Sequence, residues 1–270
     1  MLPTALGTVG LTAVIATLPI LGDGEEVSLA EHVLAFVLVV LPVGVLLYGL
    51  IALAAGLPVS KLLLWGVAAG TLGVAAAYLG GRPEELAAGP TALPLALVLF
   101  ADVFRMAAAV CLGVVLARPF TSPGMPLLLT GGVTAVDLFS VFAGPTRALV
   151  EGRSPSLNYF LLGFPTFGRP WGFALGASDF LILAFFTALA ERLDLRPLTT
   201  LALGCVAVAL SLLSALLLSR PLPVAPFIAL SFVLANASPL ACALRGEDDR
   251  QGKWFVRVHK VHAHRVRAPL

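Results

Sequence analysis

Two aspartates lie within apolar stretches of this sequence and are the residues best placed to do chemistry. Asp137 lies in Met125–Gly144, which reads MPLLLTGGVTAVDLFSVFAG. Asp179 lies in Gly172–Phe186, which reads GFALGASDFLILAFF. A carboxylate in such a stretch is costly to bury and usually serves a function. The sequence therefore predicts an acid/base pair, because two carboxylates that face each other at low dielectric cannot both ionise cheaply.

The composition indicates that these stretches are membrane helices. Hydrophobic residues make up 59% of the 270 residues and charged residues 12%, whereas about 25% of residues are charged in an average soluble domain. Helices of about 20 residues that cross a hydrocarbon layer of about 30 Å need such apolar runs. The segments do not alternate apolar and polar residues as the strands of a membrane β-barrel do. We therefore predict an all-α, polytopic bundle of transmembrane helices.

Eight apolar segments are long enough to be predicted as membrane spans, and Pro145–Trp171 is predicted to be a loop between the fifth and the sixth. The fourth span carries Asp102 and Arg105, which share one helix face and favour a structural ion pair. The predicted spans are Leu2–Leu21, Leu29–Ala55, Lys61–Gly80, Thr91–Ala117, Met125–Gly144, Gly172–Ala190, Leu198–Leu218 and Phe227–Leu244.

The chain divides into three predicted regions. Residues 1–122 form a scaffold half, residues 123–244 carry both aspartates and the Pro223 motif, and residues 245–270 form a basic polar tail. The face shared by both termini collects eleven Lys and Arg residues against five on the other face. Basic residues favour the cytoplasmic side, so we predict a cytoplasmic C-terminal tail. The excess of Arg over Lys, with abundant Ala, Gly and Pro, favours a prokaryotic plasma membrane.

The sequence contains no pattern typical of a metal, cofactor or nucleic-acid site. The three cysteines are isolated in apolar segments, so no CxxC pair is available. His259, His262 and His264 lie in the basic tail without an acid or thiolate cluster, and we interpret them as solvated residues. No P-loop or dinucleotide fingerprint is present. We predict neither a metal nor a cofactor, and no nucleic-acid partner.

Proteolysis within a membrane needs several parts, and the sequence offers a candidate for each. Asp137 and Asp179 would activate water and protonate the leaving amine. The three residues that precede Asp179 are small and would let another backbone approach. Pro223 breaks the start of the last span, and backbone freed there can pair with an extended substrate where it lines a cavity.

At these residues the chain resembles the presenilin and signal peptide peptidase family of intramembrane aspartyl proteases, over residues 125–247. In that family one helix carries Tyr-Asp, the next carries Gly-x-Gly-Asp, and the last begins at Pro-Ala-Leu. The corresponding positions here are Val136-Asp137, Gly176-Ala177-Ser178-Asp179 and Pro223-Val224-Ala225. The resemblance implies that the two aspartates are catalytic and that the other motif residues, Val136 apart, contact the substrate. The family has nine spans, so eight or nine are expected here.

The resemblance implies a prokaryotic intramembrane endopeptidase that cleaves transmembrane or signal-peptide-like helices within the lipid bilayer. Whether the chain forms a homo-oligomer stays open. Two alternatives stay open beside it. Val136 replaces a tyrosine and Ser178 a glycine, so the chain could be a catalytically silent homologue that binds helices. The same aspartates could instead relay protons in a proton-coupled transporter. The lack of an inverted repeat between the halves argues against a transporter.

Overall fold

Helices make up most of the structure, a computed structural model that describes residues 2–18, 28–80, 92–122, 124–144, 146–147, 160–167, 169–218, 220 and 222–245. Within these residues the chain forms nine helices and one β-hairpin. The helices are α1 (Leu2–Thr17), α2 (Leu29–Ala55), α3 (Val59–Gly80), α4 (Ala92–Ala117), α5 (Met125–Phe142), α6 (Ala177–Arg192), α7 (Pro197–Leu218), α8 (Ala225–Ala235) and α9 (Ala237–Arg245). The strands are β1 (Leu161–Thr166) and β2 (Arg169–Gly176). The predicted tail after Arg245, with its three histidines, lies outside the described residues.

Five of the described helices are long and apolar enough to cross a membrane, namely α2, α3, α4, α5 and α7. The structure therefore supports an integral membrane protein built from apolar helices. Helices α1 and α6 have 16 residues each, which rise about 24 Å and fall short of a hydrocarbon core of about 30 Å. The expected total of eight or nine spans remains a prediction.

Helix α6 lies at the centre of the packed helices. It contacts α4, α7, α8 and α2, and Phe186 and Leu189 on it are fully buried. The ring of Phe186 stacks on Phe232 of α8 with centroids 4.8 Å apart. Helices α3 and α5 lie at the periphery and expose large apolar side chains such as Leu64 and Leu128. Apolar surface of this extent is unfavourable in water and fits contact with lipid.

The structure corrects the predicted start of the sixth span. The sequence predicted a helix from Gly172, but β2 continues to Gly176 and α6 begins at Ala177. The two strands pair antiparallel, with Leu161 opposite Gly176. A short apolar run does not distinguish a buried strand from a helix, which is why the prediction placed the helix start too early.

The hairpin also changes the interpretation of the predicted loop Pro145–Trp171. Residues 161–166 and 169–171 of that segment lie in the two strands, whereas residues 148–159 lie outside the described residues. Leu162, Phe164 and Leu175 are buried between the hairpin and the helices. Their burial ties the hairpin to the core, because a two-stranded sheet is marginal by itself.

The predicted last span, Phe227–Leu244, is two helices in the structure. Helix α8 begins earlier, at Ala225, and the chain breaks at the fully buried Asn236 before α9. The Asn236 amide nitrogen donates to the Thr200 hydroxyl and to the Phe232 carbonyl, both at 2.9 Å. The Asn236 amide oxygen accepts from the backbone N–H of Arg196 at 3.0 Å. This side chain therefore joins the end of α8 to the start of α7 and keeps its own buried amide paired.

Close backbone packing joins α4 to α6. A Cβ on Gly113 would lie 2.6 Å from the Leu181 carbonyl oxygen and 2.9 Å from the Phe185 amide nitrogen. Only a glycine allows this approach, because backbone atoms cannot move aside as a side-chain end can. The central position of α6 therefore depends on a residue that the sequence does not distinguish from its other glycines.

We expect Gly113→Ala to destabilise the protein by about 1–3 kcal/mol, since the new methyl group overpacks a backbone contact. Gly131→Ala is the matched control, because a Cβ at Gly131 meets nothing within 4 Å and alanine favours a helix by about 1 kcal/mol over glycine. Unfolding midpoints in detergent would measure both effects. Equal midpoints for the two variants would show that the α4–α6 contact is looser than the structure indicates.

We expect Asn236→Ala to lower the free energy of unfolding by about 1–3 kcal/mol, because it removes the amide hydrogen bonds to Arg196, Phe232 and the buried Thr200 hydroxyl. Ser238→Ala provides the control on the exposed start of α9. Chemical unfolding in detergent would compare the two variants. A loss no larger for Asn236→Ala than for Ser238→Ala would argue against this role for the amide.

Candidate active site

Asp137 caps the start of α8 from a neighbouring helix. It lies half-buried on α5, which packs against α8. Its Oδ2 accepts a hydrogen bond of 2.8 Å from the backbone N–H of Ala225. The first N–H groups of a helix have no partner within that helix, and the helix dipole favours a negative charge there. The fold therefore gives this carboxylate a defined orientation.

Asp179 caps the helix on which it lies. It occupies the first turn of α6, and its Oδ2 accepts a hydrogen bond of 3.0 Å from the backbone N–H of Gly176. Gly176 has extended backbone angles and is the point where β2 passes directly into α6. The turn from strand to helix therefore fixes the carboxylate beside the hairpin.

The structure places the two predicted acids within range of each other's charge. The charge on Asp137 acts on Asp179, although the two residues belong to different helices. Helix α8 contacts both α5 and α6, which carry these residues. Two carboxylates that repel each other at low dielectric favour a state in which they share one proton. Such a pair can act as a base and an acid in the same reaction.

The small residues before Asp179 lie at the strand-to-helix junction. Gly176 and Ala177 are half-buried, and Ser178 is exposed. A Cβ on Gly176 would lie 2.9 Å from the Ser178 hydroxyl and 3.4 Å from Asp179 Oδ2. The Ser178 side chain therefore fills space beside Gly176, next to the carboxylate.

The proline motif is buried within the chain. Pro223, Val224 and Ala225 are buried at the start of α8, whereas Pro221 lies outside the described residues. Pro226 occupies the first turn of that helix, where a proline is tolerated because its missing N–H would have no partner. The sequence, through its resemblance to the family, predicted that this motif contacts a substrate. It did not predict that the Ala225 N–H bonds to Asp137, because nothing in either segment indicates the pairing.

An apolar cavity of about 30 Å³ lies beside Asp179. Its walls come from α2, the hairpin, α6 and α7, and include Phe36, Val43, Phe164 and Val208. A buried water molecule needs about two to four polar partners. Asp179 is the one ionisable carboxylate among the lining residues, so the cavity by itself is an apolar space beside the acid. The sequence does not indicate the contribution of α2, because the residues of an apolar helix do not show which face lines a site.

The predicted ion pair between Asp102 and Arg105 is confirmed. Arg105 Nη2 donates to Asp102 Oδ1, and both residues are buried on α4. Among the described residues, no group of three His, Cys, Asp or Glu side chains could hold a metal ion.

No protein-family model matches the chain, and a search of curated proteins finds no match. The resemblance to the presenilin and signal peptide peptidase family therefore remains a prediction from the motif residues. The geometry of Asp137 and Asp179 is independent of that resemblance, because it follows from the fold.

Proposed function

We propose that this protein is an intramembrane aspartyl endopeptidase that hydrolyses peptide bonds within transmembrane or signal-peptide-like helices. The observation that carries the proposal is that Asp137 and Asp179 are each oriented by a backbone N–H at a helix start and lie within range of each other's charge. Intramembrane acids serve a function by default. An acid/base pair is the chemistry that two such carboxylates support best.

In the proposed reaction one carboxylate begins ionised and the other protonated. The ionised carboxylate takes a proton from water as the water oxygen bonds to the scissile carbonyl carbon, and the protonated one gives its proton to the carbonyl oxygen. The resulting tetrahedral diol then loses a hydroxyl proton to the second carboxylate. The first carboxylate gives a proton to the amide nitrogen, and the C–N bond breaks. Both carboxylates regain their starting states, and the starting proton belongs to the pair as a whole.

The hairpin offers a place to hold the substrate in an extended form. A peptide bond within a helix is shielded by its own hydrogen bonds, so the helix must unwind before water can attack. Strand β2 leads directly to Asp179. One edge of β2 pairs with β1, and the opposite edge is called the outer edge here. An extended segment that pairs with the outer edge of β2 would pass beside the carboxylate, with its backbone groups satisfied. The β2–α6 junction therefore supports the proposed reaction.

We also propose a prokaryotic plasma membrane as the location, with the C-terminal tail in the cytoplasm. Five apolar helices support insertion in a membrane. The excess of Lys and Arg on the face shared by both termini supports the orientation. The proposed partners are membrane helices as substrates and the lipid bilayer itself.

We expect Asp137→Asn and Asp179→Asn each to lower kcat by about 10²–10⁴-fold, because each removes one half of the acid/base pair. Asparagine keeps an oxygen that can accept from the Ala225 or Gly176 N–H, so both variants should fold. The assay is cleavage of a fluorogenic transmembrane-helix peptide by the purified protein in detergent, with unfolding midpoints measured in parallel.

Asp194→Asn is the matched control for this experiment. Asp194 is exposed, and its φ of 53° lies in a region that asparagine tolerates well. This variant should cleave at the wild-type rate. Cleavage unaffected by Asp179→Asn would end the proposal. Capture of the peptide without cleavage would indicate a silent helix-binding homologue, and proton-coupled transport in liposomes that Asp137→Asn abolishes would indicate a transporter.

A further inference from the structure

The buried pair Asp102–Arg105 has a cost that stability alone does not explain. The two residues are 3% and 7% exposed in the middle of an apolar helix. Asp102 Oδ2 is buried with no hydrogen-bond partner among the described residues. Apolar side chains of similar volume often stabilise a protein as well as a buried ion pair does. The contacts that the two charged groups make beyond each other indicate a further role.

Both members of the pair face the backbone of β1. Arg105 Nη1 donates a hydrogen bond of 2.6 Å to the carbonyl oxygen of Leu161. The Asp102 carboxylate lies near the backbone N–H of Gly163. Leu161 and Gly163 are two residues apart, so these groups lie on the same edge of the strand. Arg105 therefore gives that edge a donor, as a neighbouring strand would, and the Asp102 carboxylate lies beside the same edge.

The position of Arg105 is itself fixed by α4 and α3. Its Nε donates to the Ala101 carbonyl of its own helix at 3.3 Å. A Cβ on Gly73 of α3 would lie 2.8 Å from Arg105 Cγ and 3.0 Å from the Arg105 amide nitrogen. The arginine stem therefore packs directly over a glycine of α3. The scaffold half of the chain thus holds the guanidinium that contacts the hairpin.

Three consecutive contacts lead from this pair to the candidate active site. Arg105 holds the Leu161 carbonyl, and Leu161 lies opposite Gly176 in the hairpin. The Gly176 N–H donates to Asp179 Oδ2 at 3.0 Å. Displacement of β1 would move its partner residue, and with it the group that orients the carboxylate. Misplacement by about 1 Å can cost an enzyme about 10²-fold in rate.

We propose that Asp102 and Arg105 are positioning residues that act as a substitute strand on the edge of β1 and thereby hold Asp179 in its reactive orientation. The proposal rests on the function proposed above. It assigns a role in catalysis to the scaffold half, whose predicted spans otherwise show no chemical signal. The Asp102–Arg105 pair also covers the edge of β1 that faces away from β2. The outer edge of β2 is then the edge offered to an extended substrate.

The deciding variant is Asp102→Leu with Arg105→Met, which replaces the pair with apolar side chains of similar size. A role in stability alone predicts that this double variant behaves like the wild type. The positioning role predicts that it stays folded, that kcat falls about 10²-fold, and that KM changes less than kcat. Amide hydrogen exchange should become at least about tenfold faster across residues 161–176, while α1 and α2 keep their protection.

Two further variants keep the test informative if the double variant fails to fold. Arg105→Lys keeps the charge beside Asp102 but loses the planar fork that reaches two acceptors, so it should cleave at a rate between the wild type and the double variant. Arg118→Met is the matched control. Arg118 directly follows the C-terminal end of α4, and its guanidinium also donates to a backbone carbonyl, that of Leu57. It should leave kcat and the exchange of the hairpin unchanged.

The outcomes separate the two proposals. If the folded double variant retains wild-type kcat, or loses kcat without faster exchange in the hairpin, the positioning role is wrong. If the wild type cleaves no membrane-helix peptide, the protease proposal fails. Hydrogen exchange in Asp102→Leu/Arg105→Met then still measures whether the pair holds β1, since that readout needs no activity.

Discussion

A buried backbone N–H must find an acceptor inside the protein where lipid excludes water, and this constraint links the three aspartates of the apolar segments. Asp137 accepts from Ala225 at the start of α8, and Asp179 accepts from Gly176 at the start of α6. Asp102 lies near the N–H of Gly163 on the edge of β1 and accepts from Arg105. In each case the carboxylate lies where regular backbone pairing ends. Interruptions of secondary structure and buried acids therefore occur together.

The same arrangement that satisfies the backbone also prepares the chemistry. A carboxylate held by backbone N–H groups at a helix start keeps a fixed orientation. Asp137 and Asp179 are held in this way from two different helices, and each is within range of the other's charge. The hairpin and the break before α8 are thus structural interruptions with a chemical consequence. A continuous helix at either place would have left its acid without this orientation.

Some buried contacts serve the fold alone, whereas others also reach the candidate site. The tight contact at Gly113 fixes α6 against α4, and the amide of Asn236 secures the break between α8 and α9. These features support the fold and touch neither aspartate. The Asp102–Arg105 pair differs, because its polar groups face the hairpin that precedes Asp179. The rigid scaffold half is therefore joined to the candidate site through polar contacts as well as through packing.

The sequence by itself determined the membrane class, most helix positions and the identity of the two acids, because apolar runs and isolated charges are local properties. Tertiary structure alone decided that β2 replaces the first turns of the predicted sixth span, since a run such as GFALG fits a buried strand and a helix equally well. It also decided which N–H each carboxylate accepts from and which face of α2 lines the cavity. Those pairings join residues up to 88 positions apart, and no local pattern of apolar and polar residues encodes a contact over that separation.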